Sequence, residues 1–191
     1  MKDGDTAMNI AVYCGSTMGA DPRFAEAARE LGRWVGSNGH ELVYGGSSIG
    51  LMGIVARTVM EAGGAVHGVE TRFFMDAGVA QEGLSELYIV DSMAQRKQMM
   101  IDLADAFVAL PGGVGTVEEI SEIMSLVRLG QIAAPCCFLN IAGFYNGFQA
   151  HVRTMLDQGF IAQADCDRFL FIDSVDAFAS IIGNVCIDPI P

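Results

Sequence analysis

The sequence predicts a doubly wound α/β domain in which about seven parallel strands are covered by helices on both faces. Three observations carry this. Short β-rich apolar runs recur along the chain, segments of helical spacing separate them almost without exception, and glycine-rich turns join strand to helix. Strands that are apolar throughout belong in a parallel sheet buried on both sides, and right-handed crossovers distribute the helices to the two faces. The length of 191 residues suits one core, so a single Rossmann-like domain is expected over 9–187, after an N-terminal tail at 1–8.

The first strand is expected over 10–14, where Ile-Ala-Val-Tyr-Cys is apolar throughout. Asp21-Pro22 then supplies an N-cap and a proline suited to a first helical turn, opening a helix over 24–35. Strands over 41–44 and 65–69 bracket a helix over 51–60, and Gly36 and the Gly63-Gly64 pair fall where these helices should stop. A strand over 87–90 leads to Ser92, a cap for a methionine-rich helix over 93–103. The fifth strand, 106–110, precedes a helix over 116–129 ended by Gly130, and the sixth, 136–139, a helix over 144–156 ended by Gly159. The seventh strand, 169–172, is followed by Ser174 as the cap of a helix over 175–182, and Asp188-Pro189-Ile190-Pro191 reads as a second tail.

Composition narrows the function. Lys+Arg number 11 against 23 Asp+Glu, a net charge of −12 with a pI near 4.4, which argues against nucleic acid or an anionic membrane as partner. Hydrophobic residues are 51% and charged ones 18%, with a mean hydropathy of +0.37, which excludes intrinsic disorder. So apolar a chain is expected to form a homodimer, with the run Ile123-Met124-Ser125-Leu126-Val127 as a pairing surface. No run of eighteen apolar residues and no signal-like N-terminal stretch occurs, so a cytoplasmic location is expected. The five cysteines lack zinc-site spacing and read as reduced, mostly buried thiols. His40, His67 and His151 are scattered, so neither a metal site nor a cofactor is expected.

Chemistry should sit in the turns after the strands, because ligands of such sheets collect outside the strands' carboxyl ends. Three glycine-rich turns stand there: Cys14-Gly15-Ser16-Thr17-Met18-Gly19, the stretch from Gly45-Gly46 to Gly53, and Pro111-Gly112-Gly113-Val114-Gly115-Thr116. Free amides and the positive end of a helix dipole favour an anion at such a junction, and glycine lets a phosphate approach the backbone. A structural reading stands beside this one, in which the glycines only permit tight turns. Leu51 stands where a P-loop needs lysine, and no turn has the G-x-G-x-x-G dinucleotide spacing, so an ATPase or hydride-transfer enzyme is disfavoured.

Two charged groups adjoin these turns. Glu119 shares a helical face with Gly115 and Thr116, and Thr116-Val117-Glu118-Glu119 also reads as a Thr-x-x-Glu capping box. Glu122 and Ser125 continue that stripe toward the ligand turn or a partner. Arg96-Lys97 opens another helix, either as solvated side chains or as a clamp that holds a phosphate and orients a carboxylate.

The run Pro111-Gly112-Gly113-Val114-Gly115-Thr116-Val117-Glu118-Glu119 reproduces the P-G-G-x-G-T-x-x-E signature of the Lonely Guy family, cytokinin riboside 5′-monophosphate phosphoribohydrolases long labelled lysine decarboxylases. Arg96-Lys97 matches that family's R-K pair, and the likeness extends over roughly residues 9 to 185. The resemblance implies a Rossmann-like homodimer that hydrolyses the N-glycosidic bond of an adenosine-type nucleoside 5′-monophosphate to free base and ribose 5-phosphate. It implies Arg96 and Glu119 as the catalytic pair. Substrate would be held by Gly15, Ser16, Gly46, Lys97, Gly112, Gly113, Val114, Gly115, Thr116, Glu122 and Ser125. The chain departs from the family where G-V-I-P is replaced by Gly68-Val69-Glu70-Thr71, where Ser47 replaces the third glycine of a G-G-G turn, and where the segment from Phe73 to Gly83 lacks the family's acidic residue that contacts the substrate.

Hydrolysis at the anomeric carbon passes through an oxocarbenium-like sugar, which a carboxylate such as Glu119 can stabilise or supply with an activated water. No side chain in the sequence is an obvious acid for the departing base. The rival expectation is a non-catalytic nucleotide or molybdenum-cofactor carrier of the same fold, which needs no Glu119.

Overall fold

In a computed structural model, residues 7–184 are described. They form one seven-stranded parallel sheet in the order β4-β3-β2-β1-β5-β6-β7. The strands are β1 (Asn9–Tyr13), β2 (Glu41–Tyr44), β3 (Val66–Thr71), β4 (Glu86–Val90), β5 (Ala106–Ala109), β6 (Cys136–Leu139) and β7 (Phe169–Ile172). The helices are α1 (Pro22–Ser37), α2 (Gly50–Glu61), α3 (Arg72–Asp76), α4 (Met93–Leu103), α5 (Val114–Arg128), α6 (Asn146–Asp157), α7 (Gln163–Cys166) and α8 (Val175–Ile182). Asp21, Ser92 and Ser174 cap α1, α4 and α8 with their side chains.

Side-chain alternation divides the core into two layers. Ile10, Val12 and Cys14 face the layer built with α1, α2 and α8, whereas Ala11 and Tyr13 face the layer built with α4, α5 and α6. The central strands β1 and β5 are buried on both faces, as their continuous apolar sequences require. Each fully buried Leu, Ile or Phe here contributes about 1.5–3 kcal/mol.

Several expectations are corrected. Met8 is buried at 3% exposure, its amide donates to His40 Nδ1 and its carbonyl accepts from Glu41, so packing begins inside the expected tail. Gly36 does not stop α1, which runs to Ser37. A Cβ on Gly36 would stand 2.7 Å from both the Ala62 Cβ and the Val59 carbonyl oxygen, so the glycine serves the close approach of α1 to α2. The run at 123–127 is no open pairing surface: Ile123, Met124 and Val127 lie in the chain's own core. Two short helices, α3 and α7, and a 3₁₀ turn (Ile141–Gly143) were not expected, being too short to show a period. Cys14, Cys136 and Cys137 are buried and Cys166 half-buried, while Cys186 and the tail at 188–191 lie outside the described residues.

The α1–α2 contact yields a test of opposite signs. Gly36→Ala should lower the unfolding free energy measured by urea titration by about 1–3 kcal/mol through overpacking. Gly147→Ala, where an added Cβ meets nothing within 4 Å, should raise it by about 0.5–1 kcal/mol. Shifts of the same sign would remove the close approach as the reason for Gly36.

Candidate active site

The strand order reverses direction between β1 and β5, so the turns after these strands diverge and leave a crevice at their carboxyl ends. The two turns are tied where the crevice begins. Leu110 N donates to the Tyr13 carbonyl, Gly15 N to the Pro111 carbonyl, and Leu51 N to the Gly15 carbonyl.

The space around each glycine separates the three turns that the sequence leaves equivalent. A Cβ on Gly50 would stand 2.3 Å from the Ser16 carbonyl carbon, and one on Gly112 2.1 Å from Thr116 Oγ1, so these glycines let neighbouring backbone and side chains meet. A Cβ on Gly45 would stand 1.8 Å from Arg96 Nη2. Gly113 and Gly115 alone among the turn glycines singled out for phosphate have nothing within 4 Å. The third turn is the open one.

Gly113 is the N-cap of α5 with extended backbone, and no side chain caps the helix. The Thr116 box is therefore not formed: the helix starts two residues earlier than expected, and Thr116 is buried at 4% exposure. First-turn amides have no intrahelical acceptor, so the α5 terminus presents free N–H groups and a positive dipole end to the crevice.

One turn further along α5, Glu119 meets Arg96 of α4. Arg96 is 7% exposed and its donors are fixed: Nε donates to the Val69 carbonyl at 2.9 Å and Nη2 to the Gly45 carbonyl at 3.0 Å. Nη1 lies 3.5 Å from Glu119 Oε1, and Nε lies 3.7 Å from Glu70 Oε1. Burial pushes the Glu119 carboxyl from its ordinary 4.5 up to about 7, against the opposing pull of the guanidinium. Burial also raises Glu70, which the Thr71 amide and Arg96 only partly offset. Arg96 is thus neither solvated nor a free phosphate clamp. It orients two carboxyl groups.

A cavity of about 890 Å³ joins these features. Of the residues expected at the site, Ser16, Arg96, Gly113, Val114, Gly115, Thr116 and Glu119 line it. Six do not. Gly15, Gly46 and Gly112 lie in the packing behind the turns. Lys97 is held by Glu118 and by Glu122, the latter at 3.0 Å, docking α4 to α5 and keeping Glu122 away from the cavity. Ser125 returns its hydroxyl to the Ser121 carbonyl at 3.0 Å. Glu70, Phe73, Phe74, Ala77 and Val79 also line the cavity, although in the sequence they stand out only as departures from the family pattern and not as site residues. Glu70 had a signal, a charged residue directly after the strand expected over 65–69. A second concavity between α1 and α2 holds Arg29, Arg33 and Arg57, but the first two pair with Glu26 and Arg57 donates to the Ser48 carbonyl.

Fold and site together define a doubly wound α/β protein whose crevice sets an open helix terminus beside a buried guanidinium and its carboxyl partners. A family model described as "Possible lysine decarboxylase" matches residues 52–182, and the chain belongs to this family. The cytokinin riboside 5′-monophosphate phosphoribohydrolase of Rhodococcoides fascians is 35% identical over 180 residues, 94% of this chain and 91% of that protein. The cytokinin riboside 5′-monophosphate phosphoribohydrolase LOG of Oryza sativa subsp. japonica is 43% identical over 154 residues, 81% of this chain but 64% of the rice protein. In fold alone, the chain resembles the molybdenum cofactor carrier protein of Chlamydomonas reinhardtii, with a TM-score of 0.69 at 20% identity over 92% of this chain and 96% of that one.

The raised proton affinity of Glu119 has a cost that stability can reveal. Folded, the carboxyl holds its proton up to about 7, whereas unfolded it releases it near 4.5, so the native state is progressively penalised as pH rises between these values. At about 1.4 kcal/mol per pH unit the full penalty above 7 is about 3 kcal/mol. Glu119→Gln should therefore be more stable than wild type at pH 8 by up to that amount and little changed at pH 5, measured by urea unfolding. An equal effect at both pH values would show that another group titrates.

Proposed function

We propose that this protein hydrolyses the N-glycosidic bond of an adenosine-type nucleoside 5′-monophosphate, releasing free base and ribose 5-phosphate. The observation that carries the reading is the placement of a buried carboxyl, Glu119, one helical turn from the open N-terminus of α5. The 5′-phosphate sits on the amides at Gly113, Val114, Gly115 and Thr116, where the helix dipole favours a dianion within a protein of net charge −12. That anchorage brings the anomeric carbon to Glu119, so binding energy from a non-reacting group positions the reacting one.

Glu119 takes a proton from the attacking water and offsets the positive charge of the oxocarbenium-like sugar. Its proton affinity near 7 suits this, because the ionised form is populated at neutral pH yet basic enough to accept a proton. Arg96, immobilised by two carbonyls, fixes the direction of the carboxylate and limits the rise of its proton affinity. The relatives named as phosphoribohydrolases support the reaction class. A carrier needs no Glu119, and the likeness to molybdenum cofactor carriers concerns the fold alone. A homodimer is part of the proposal, supported by an apolar side chain that the chain leaves open just after α5, Leu129 at 65% exposure.

Two experiments test this reading. Release of free base from AMP, N6-substituted AMP and adenosine should be efficient only for the phosphorylated compounds, and should rise with pH through about 7 as Glu119 ionises. Glu119→Gln should lower kcat at least about 100-fold while AMP still binds. Adenosine cleaved as well as AMP would replace the phosphate anchor with a plain nucleoside hydrolase, and binding of AMP without cleavage would favour a carrier. Light scattering at micromolar concentration should give about twice the 20.3 kDa of one chain, and a 20.3 kDa species alone would remove the dimer.

A further inference from the structure

The hydrolase reading leaves one buried carboxyl beside the cavity without a task. Glu70 occupies the carboxyl end of β3, an interior strand, at 1% exposure. One of its oxygens accepts from the Thr71 amide at 2.9 Å. The nearest cation does not hydrogen-bond it: Arg96 Nε is 3.7 Å away and already donates to the Val69 carbonyl. The other oxygen, Oε2, has no donor among the described residues, although Glu70 forms part of the cavity wall.

A carboxyl desolvated to this degree without a direct charged hydrogen bond holds its proton more tightly than an ordinary one, and burial raises Glu70 in that direction. A protonated carboxyl is a donor, and the opening available to this one is the cavity. The order of groups along the wall says what would meet it. From the free amides of α5 the wall passes Glu119, then Arg96, then Glu70, and continues from the same end of β3 into apolar Phe73, Phe74 and Val79. A nucleotide with its phosphate on α5 and its anomeric carbon at Glu119 lays its base on the Glu70 side.

The geometry points to Glu70 as the general acid that protonates the departing base. This inference rests on the hydrolase reading above. As the glycosidic C–N bond breaks, its electron pair goes to the base, and Glu70 Oε2–H delivers its proton to a ring nitrogen, so that the base leaves neutral. The attacking water forms the new C–O bond and gives its proton to Glu119. One proton has then passed from Glu70 to Glu119, and exchange with solvent restores both groups. The other buried groups nearby are unsuited to this, because burial holds the proton of Cys14 and of Tyr44 far more tightly.

The test compares two leaving groups in the full-length protein. AMP needs a proton for its base to leave neutral, whereas AMP methylated at N7 carries a cationic base that departs neutral without one. Glu70→Gln, which keeps an acceptor for the Thr71 amide, should lose at least about 100-fold in kcat on AMP and stay within about threefold of wild type on the N7-methylated nucleotide. Glu70→Met, which places no unpaired amide in the site, should give the same split and serves if the glutamine variant folds poorly. Equal losses on both nucleotides, or no loss on AMP, would overturn the assignment. Wild-type protein that cleaves neither nucleotide is a different outcome, since it overturns the hydrolase reading itself.

Discussion

The buried guanidinium of Arg96 is the constraint around which the crevice is arranged. Removing an ion from water costs several kcal/mol unless charge and hydrogen-bond partners replace the solvent. The partners here come from three directions: carbonyls at the ends of β2 and β3, Glu119 from α5, and Glu70 from β3. Each demand leaves a mark on the sequence. Residue 45 is glycine because any Cβ would collide with Arg96 Nη2, and β3 ends in a charge that an interior strand otherwise excludes. The neighbouring Lys97 pairs with Glu118 and Glu122 of α5 instead. Two adjacent cations thus take separate tasks, one ordering the site and the other joining helices.

Parallel topology makes this convergence possible. With all strands running the same way, the ends of β2 and β3 and the starts of α4 and α5 meet at one edge of the sheet. The direction reversal between β1 and β5 then opens the crevice beside them. The same layering opposes charge chemistry, because helices on both faces exclude water and raise the proton affinity of Glu119. Function and stability pull in opposite directions at this residue. The unusual proton affinity that suits it to catalysis is the quantity that penalises the native state above neutral pH.

The fold was largely legible because the signals were long and repeated. Residues 41–44, 136–139 and 169–172 are the bounds of β2, β6 and β7, and 93–103 and 175–182 those of α4 and α8, since apolar runs and capping serines both act locally. The site was legible in part. The motif around Gly113 to Glu119 marked the right turn, but glycines placed for crowding and glycines placed for a ligand look alike in a sequence. Only the space around them separates Gly45 and Gly50 from Gly113 and Gly115. Likewise Ile123 and Val127 read as a pairing surface because one chain's sequence cannot say which layer already covers them.

Charge balance links these features into one electrostatic unit. With both carboxyls ionised, Arg96 and its two partners carry a net negative charge in a protein already at −12, beside a terminus suited to a phosphate dianion. Bringing that dianion in raises the proton affinity of every nearby acid. By reciprocity, protons held at Glu70 or Glu119 strengthen phosphate binding by the same factor. Bound substrate therefore favours protonation of the carboxyls that flank Arg96, and an acid–base pair needs a proton on one of them before the bond breaks. Arg96 reaches both groups. Its Nη1 lies 3.5 Å from Glu119 and its Nε, committed to the Val69 carbonyl, lies 3.7 Å from Glu70, so one guanidinium couples the proton affinities of the two carboxyls.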